Sequence, residues 1–134
     1  MEDRYLYKAK WIDTGEWVDG NLIVNELDTR EYFIGYIFGV AGGKPHDLDV
    51  CRVDPSTICQ CTGLKDKNGR LIWENDIVKI NGSKTNSLVC FKDFEVVCTI
   101  PDYKYYRHRL EYGPQQYEII GNIFDNPELL KSEG

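Results

Sequence analysis

The chain has 134 residues, of which 42% are apolar and 13% aromatic, and it carries a net charge of −6. This length suits one domain, and the apolar content argues against disorder. There is no apolar run near the roughly 18 residues that a membrane-spanning helix needs. Residues 1–11 are charged where a secretion signal is apolar, so we expect a cytoplasmic protein.

The charge is unevenly distributed. Residues 1–50 contain 5 Lys or Arg and 10 Asp or Glu, a net −5, whereas residues 51–134 contain 11 and 12, a net −1. Because affinity for nucleic acid depends on neutralising phosphates, the acidic first part disfavours nucleic acid as its partner. The second part leaves room for a local basic patch.

Three strands are predicted in the first 40 residues. Residues 5–11 and 16–24 flank the turn signal Asp-Thr-Gly at 13–15, and Asp-Gly-Asn at 19–21 suggests a bulge or a further turn. Residues 31–40 are rich in β-branched and aromatic side chains. A strand is favoured there because the two glycines in this segment would weaken a helix.

Residues 41–49, which contain Gly-Gly and Lys-Pro, are expected to form a loop. This loop is the best place to divide the single domain, residues 1–134, into two lobes. The division gives an N-terminal β lobe, residues 1–49, and a second lobe, residues 50–134.

The segment 53–80 predicts short strands at 57–62, 70–73 and 77–80, joined by tight turns. Asn-Gly tolerates positive φ, as a tight hairpin requires, and Pro breaks a strand because it lacks a donor. The residues assigned to structural turns here and near the C-terminus are Pro55, Asn68, Gly69, Asn75, Asp76 and Pro127.

The remaining chain predicts a hairpin over 87–91 and 94–100, a last strand over 117–124, and a short C-terminal helix over 127–131. Asn126 is a good N-cap and Pro suits the first helical turn. Short strands at spacings near ten residues indicate a mainly β fold, a small antiparallel roll or barrel.

Three blocks carry a family resemblance: YLYKAKWIDTGEWVDGNLI at 5–23, VDPSTICQCTGLKDKNGRLIWENDIVKI at 53–80, and EIIGNIFDNPELL at 118–130. Together they resemble the YopX family of phage and prophage proteins. The resemblance implies an SH3-like barrel with extra N-terminal β elements and a short C-terminal helix. It implies a phage origin, no established biochemical function and no catalytic residue.

The chain departs from the family pattern at two positions. Asn75 stands before Asp76 where the family usually has Gly, and Asn is the next-best residue for a left-handed turn position. Cys61 stands where the family usually has an aromatic residue, which suggests local repacking. Because Asn can replace Gly at position 75, a structural role is favoured for the turn motif that contains Asn75 and Asp76.

Aromatic and basic residues alternate near residue 105. Rings that stack bases and cations that follow phosphates are what a single-stranded nucleic-acid platform needs. The alternative is a solvated connection between strands, whose tyrosines pack on the fold. The net negative charge of the chain favours this alternative. The candidate nucleic-acid residues are Lys104, Tyr105, Tyr106, Arg107 and Arg109.

Asp66, Glu74 and Asp76 form an acidic set that could hold a metal or supply acid and base to a small hydrolase. Their positions at turns favour backbone capping instead. His46 and His108 have no nucleophile motif beside them, so ordinary exposed histidines are expected.

The cysteines number five, an odd count, and no signal peptide accompanies them, so no disulfide framework is expected. Cys59 and Cys61 are the one close pair, and their spacing is short for a zinc chelate. Ordinary core cysteines are favoured. We expect neither a metal nor a cofactor.

A further set of aromatic residues suits either an interaction surface or the core. Its members are Trp11, Trp17, Tyr32, Phe33, Tyr36 and Phe38. The sequence therefore predicts a non-enzymatic module that binds a protein or a second copy of itself, since exposed sheet edges favour pairing. Single-stranded nucleic-acid binding is the alternative, and a metal-dependent hydrolase is the third.

Overall fold

The computed structural model describes residues 6–26, 30–41, 44–80, 86–92, 95–99, 108–109 and 117–130. Within these ranges the chain is mainly β, as predicted, with two sheets of antiparallel strands and two 3₁₀ turns. None of the helical segments described has the length and apolar character to cross a membrane. The strands are β1 Tyr7–Lys10, β2 Trp17–Asn25, β3 Glu31–Ala41, β4 Lys44–Arg52, β5 Cys59–Lys65, β6 Leu71–Trp73, β7 Asp76–Ile80, β8 Asn86–Lys92, β9 Glu95–Thr99, β10 His108–Arg109 and β11 Tyr117–Asn122.

The described residues form two compact units, which divide between Gln60 and Cys61. Residues 44–52 pair with β3 in a hairpin and so belong with the first unit, whereas the predicted lobe boundary lay at residues 49 and 50.

The first unit is built from strands in the order β4-β3-β2-β1, with the start of β5 beside β1. Strand β2 pairs with β1 through its first four residues and with β3 through its last five. The change of partner falls at Gly20, whose φ of 152° favours glycine. The predicted interruption at 19–21 is therefore a bend within one strand.

The core of the first unit lies on one face of these strands. Ala9, Ile34 and Val53 are buried at its centre, on β1, on β3 and just after β4. Partly buried apolar side chains surround them: Tyr7, Val18, Leu22, Tyr32 and Ile58. Because side chains alternate along a strand, the opposite face of β1, β2 and β3 carries a different set of residues.

The second unit contains the β5–β6 hairpin and a five-stranded sheet of order β10-β9-β8-β7-β11. One residue from each of five strands is buried in its core: Ile72, Val78, Val89, Cys98 and Tyr117. Between the described strands this sheet is open, with β10 and β11 at its edges. The SH3-like barrel that the resemblance implied is therefore not confirmed.

Two local predictions are wrong. Residues 41–49 are largely strand, because β3 supplies a pairing partner for Lys44–Arg52 and such pairing overrides the weak strand preference of Asp and Pro. The C-terminal segment is a single 3₁₀ turn, Pro127–Leu130, and not the predicted short helix. Its closing bond runs from the Leu129 N–H to the Asn126 carbonyl, 3.1 Å.

A buried carboxylate joins the β5–β6 hairpin to β11. Asp66 is fully buried, and its Oδ1 accepts bonds from the backbone N–H groups of Asn68 and Arg70, both at 2.9 Å. Its Oδ2 accepts from the Ile119 N–H at 3.1 Å. Beside it, the Lys67 N–H donates to the Tyr117 carbonyl at 2.8 Å. One side chain thus fixes both the turn of the hairpin and its contact with β11, a strand of the other sheet.

Opposing effects act on the pKa of Asp66. Burial raises it, because the charged form loses water. The backbone N–H groups of Arg70, Ile119 and Asn68 lower it, as does the positive charge of Arg70, and the pKa is lowered overall. The folded state therefore holds Asp66 as an anion.

Gly121, the fifth of the six residues of β11, makes room for the turn that follows. A Cβ at this position would lie 2.5 Å from Oδ1 of Asn126. That oxygen accepts a bond from the Asn122 N–H at 3.3 Å, and Asn122 Oδ1 in turn accepts from the N–H groups of Phe124 and Asp125, both at 2.9 Å. Glycine is required because the Asn126 side chain folds back over the strand.

Replacing Asp66 with Asn should lower the free energy of unfolding at pH 7 by about 2–4 kcal/mol, because hydrogen bonds to a buried anion are lost and a backbone donor is orphaned. Since the folded pKa is lowered, the carboxylate stabilises the fold above its unfolded pKa of about 3.9 and this stability is lost as pH falls through the folded pKa. Urea denaturation at pH 7 and pH 3 should show the difference between wild type and variant shrinking at pH 3.

Asp54→Asn is the matched control. Asp54 is exposed and caps the 3₁₀ turn Pro55–Thr57 through the Ser56 N–H, 3.0 Å. Asn caps about as well as Asp, so its effect should stay within about 0.5 kcal/mol. Equal effects of Asp66→Asn and Asp54→Asn would show that the buried carboxylate has no special role.

Replacing Gly121 with Ala should destabilise the fold by about 1–3 kcal/mol, because the new methyl group overlaps the Asn126 side chain. Thermal unfolding measures the change. Gly121→Ala combined with Asn126→Ala should cost less than the sum of the two single changes, since removing the Asn126 carboxamide removes the two closest contacts and leaves only the Asn126 Cβ, 2.9 Å away. Strict additivity would disprove the steric cause.

Candidate protein-interaction surface

The face of β1–β3 opposite the core carries aromatic and charged residues together. Strand pairing places Lys10 opposite Trp17, Lys8 opposite Asp19, Ile23 opposite Phe33, and Phe33 opposite Arg52. Residues that are opposite in register share a face. We call this surface the Trp17 face, and its members are Lys8, Lys10, Trp17, Asp19, Ile23, Glu31, Phe33 and Arg52.

Trp17 is the centre of this surface. The Nζ atoms of Lys8 and Lys10 lie 4.8 Å and 5.4 Å from the centroid of its ring. All three side chains are half-buried. Cations at these distances are attracted by the π-electrons of the ring, which fixes the indole on the sheet and leaves part of it open.

Phe33 forms the second aromatic position of the Trp17 face. It is half-buried and lies in register between Ile23 and Arg52. The Arg52 Nε lies 3.4 Å from Oε2 of Glu31, an ion pair in which the arginine is mostly exposed. The face thus combines rings with charges of both signs.

The aromatic set predicted from sequence divides between surface and core. Trp17 and Phe33 lie on the Trp17 face, whereas Tyr32 packs against the buried core of the first unit. Trp11 bridges to Val53 and is half-buried. The side chains of Tyr36 and Phe38 lie outside the described residues.

The basic tyrosine segment lies mostly outside the described residues, including Lys104, Tyr105, Tyr106 and Arg107. Arg109 is placed by its backbone in β10, where it pairs with Val97, and His108 pairs with Cys98. The backbone of His46 lies in β4. The structure gives no side-chain geometry for these two histidines or for Arg109.

The two buried members of the acidic set each accept hydrogen bonds from backbone N–H groups. Asp66 serves three N–H groups as described above, and Asp76, which is buried, accepts a bond from the Trp73 N–H at 2.8 Å through Oδ2. Glu74 is half-buried in the same turn, where Asn75 has φ of 72°. Across the described ranges, no three His, Cys, Asp or Glu residues are arranged to hold a metal ion.

Of the turn residues named from sequence, Asp76 is the first residue of β7, and the other five lie in turns. Pro55 begins a 3₁₀ turn and Pro127 begins another. Asn68 and Gly69 lie between β5 and β6, with Gly69 at φ of 80°, and its N–H donates to the Asp66 carbonyl at 3.0 Å. Asn75 adopts the left-handed conformation expected where the family usually has Gly.

None of the described cysteines forms a disulfide. Cys59 is buried and donates to the Thr57 carbonyl at 3.3 Å. Burial, with a smaller contribution from neighbouring Cys90, raises the pKa of Cys98 to about 12. A thiol with this pKa stays protonated at neutral pH and is a poor nucleophile.

Sequence reasoning missed Lys8 and Lys10 as members of a surface. The signal that could have found them is hairpin register, because the turn at residues 12–15 sets Lys10 opposite Trp17. Lys8 lies two residues from Lys10 on the same strand, and it therefore lies on the same face.

Comparisons with known proteins identify the lineage. The family model described as YopX protein matches residues 24–131, which is most of the chain. A solved structure, protein EF1440 from Enterococcus faecalis, is similar with a TM-score of 0.56 and 25% identity, over 93% of this chain and 96% of that one. No curated protein matches the sequence. The chain belongs to the YopX family.

Proposed function

We propose that this YopX protein is a non-enzymatic protein-interaction module, encoded by a phage or prophage and active in the cytoplasm of the bacterial host. The observation that carries the proposal is the Trp17 ring, held by two lysine side chains on the sheet face opposite the core. The phage setting is what the family resemblance implies.

The Trp17 face has the composition of a binding surface. Tryptophan and arginine are enriched among the residues that dominate interface energies, and aromatic rings supply contact area at a small entropic cost. A cation–π contact contributes about 0.5–1 kcal/mol when exposed and about 2 kcal/mol or more when water is removed. A partner that covers Trp17, Lys8 and Lys10 would therefore strengthen contacts that already exist.

Charge defines the partner further. The Trp17 face carries three basic residues, Lys8, Lys10 and Arg52, and two acidic ones, Asp19 and Glu31. A surface that carries charges of both signs selects its partner by the positions of the partner's charges and not by net attraction. This pattern suits a folded protein with complementary charges better than it suits a polyanion.

The carboxylates of the second unit support a non-enzymatic role. Asp66 and Asp76 both accept bonds from backbone N–H groups that would be orphaned if the carboxylates turned toward a substrate. A general acid at neutral pH also needs a raised pKa, whereas the pKa of Asp66 is lowered. This weakens the hydrolase alternative.

Single-stranded nucleic-acid binding remains the second candidate, through Tyr105, Arg107 and Arg109. One observation favours it: the backbone of Arg109 lies in β10, at the edge of the five-stranded sheet. An edge strand leaves adjoining residues accessible to a ligand.

Trp17→Ala should abolish capture of the partner. With the tagged protein as bait in host lysate and quantitative mass spectrometry as readout, at least one protein should fall by about tenfold or more relative to wild type, since loss of a central tryptophan costs about 2 kcal/mol or more. Circular dichroism and thermal melts establish that the variant is folded.

Val24→Ala provides the matched control for this experiment. Val24 lies on the same strand as Trp17, is 38% exposed, and points to the other face. The captured protein should be retained by this variant. If Trp17→Ala and Val24→Ala recover the same proteins in the same amounts as wild type, the Trp17 face is not a binding surface.

For the second candidate, fluorescence anisotropy with a labelled oligothymidine measures binding across a salt series. The interaction-module proposal predicts no binding at low salt and no difference between wild type and Arg107→Ala. Binding that weakens with salt and falls further in Arg107→Ala would instead establish the nucleic-acid function.

A further inference from the structure

The β3–β4 hairpin extends beyond the neighbouring strand of its sheet. Pairing of β2 with β3 runs from Asn25↔Glu31 to Asn21↔Gly35, whereas pairing of β3 with β4 continues to Ala41↔Lys44. At Gly20, β2 turns to pair with β1. Among the described strands, residues 36–41 of β3 therefore have a neighbour on one side only.

The backbone groups on the open side can be assigned from one hydrogen bond. The Tyr32 carbonyl accepts from the Val53 N–H at 2.9 Å, so the main chain of Tyr32 points toward the β4 side. Because this direction alternates along an antiparallel strand, odd-numbered residues of β3 point to the other side. Beyond Gly35, the N–H and C=O groups on the open edge are those of Ile37, Gly39 and Ala41.

The two edges of this hairpin differ in sequence. Residues 32–41 of β3 contain no charged side chain, whereas β4 contains Lys44, Asp47 and Asp49. Charged residues on an edge strand oppose pairing with another chain, and an uncharged edge invites it. A two-stranded ribbon is also marginally stable in water by itself, so residues 36–41 gain from a third strand.

We propose that two copies of the chain pair through this edge, with β3 antiparallel to β3 across a two-fold axis at Gly39. In this register Gly39 lies opposite Gly39, and Ile37 of each copy lies opposite Ala41 of the other. These three pairs each exchange two hydrogen bonds, which satisfies every outward group of residues 37–41.

The register is set by the alternation of backbone groups. A shift by one residue would bring outward groups opposite inward ones, so only shifts of two are allowed. A shift of two toward the N-terminus would require Gly35, which already pairs with Asn21. In the chosen register Phe38 lies opposite Val40, an aromatic and β-branched pair of the kind that stabilises antiparallel sheets.

A second copy is favoured over a foreign strand because the sequence is complementary to itself about Gly39. Glycine at the axis places no Cβ where two identical residues meet, and the larger Ile37 faces the small Ala41. The edge is uncharged, so pairing of two identical acidic chains brings no like charges together at the shared strands. The site is separate from the Trp17 face and goes beyond the proposed function.

Sedimentation equilibrium tests this dimer with two matched proline variants. Gly39→Pro removes an N–H from the open edge of β3, and His46→Pro removes one from the outer edge of β4, and both leave the β3–β4 ladder intact. Wild type and His46→Pro should show twice the 15.5 kDa of one chain, and Gly39→Pro the mass of one chain.

Amide hydrogen exchange of the wild type supplies a readout that needs no variant. As concentration rises through the dimer range, protection should increase at Ile37, Gly39 and Ala41. A monomeric wild type overturns the proposal, and the open edge then suits a strand of another protein. A dimer that survives Gly39→Pro, or one that His46→Pro disrupts, also overturns it. Trp17→Ala should leave the mass unchanged, which separates this test from that of the proposed function.

Discussion

The second unit depends on one buried anion. Asp66 lies at the end of β5 with no exposed surface, and three backbone N–H groups bind its two oxygens. A buried carboxylate without such donors would be strongly destabilising, and the donors without it would be orphaned. Each therefore requires the other. The carboxylate joins a turn to a strand 53 residues further along the chain, a distance that no local propensity can bridge.

The same device recurs within this block, residues 53–80, and in the block at 118–130. Asp76 accepts from Trp73 within the β6–β7 turn, Asn126 folds back over Gly121, and Asp54 caps the turn at Pro55. In each case a short polar side chain replaces a backbone partner that the turn has removed. Many of the residues that reveal lineage thus specify how strands are joined. Trp17, Lys8 and Lys10 also lie in one of these blocks, residues 5–23, but on a sheet face, where they attract less notice in the sequence.

Local features of the fold were readable from the sequence, and long-range ones were not. Turn residues located β1 and β2, β-branched and aromatic composition located β3, and Asn-Gly located the β5–β6 turn. Residues 44–52 have the composition of a loop because Lys-Pro and two aspartates have weak strand preference, and only pairing with β3 makes them a strand. The predicted C-terminal helix is a 3₁₀ turn for a related reason, since packing decides the conformation of a short terminal segment. The implied barrel is not confirmed, because the described strands do not close a sheet.

The candidate site, like the fold, could be predicted from the sequence only in part. Trp17 could be named from composition, but its partnership with Lys8 and Lys10 depends on hairpin register. Residue types placed Asp66, Glu74 and Asp76 at turns, and the structure adds that backbone groups occupy the buried Asp66 and Asp76 carboxylates. The open edge of β3 could not be foreseen, because it exists only where β2 changes partner at Gly20.

Backbone donors hold Asp66 as an anion, and an NMR titration of its carboxyl carbon tests this directly. We expect a pKa below the ordinary value of about 3.9, because three backbone donors and the Arg70 charge outweigh burial. A pKa well above that value would contradict a structural role, since a carboxyl group that holds its proton toward neutral pH is what a general acid requires.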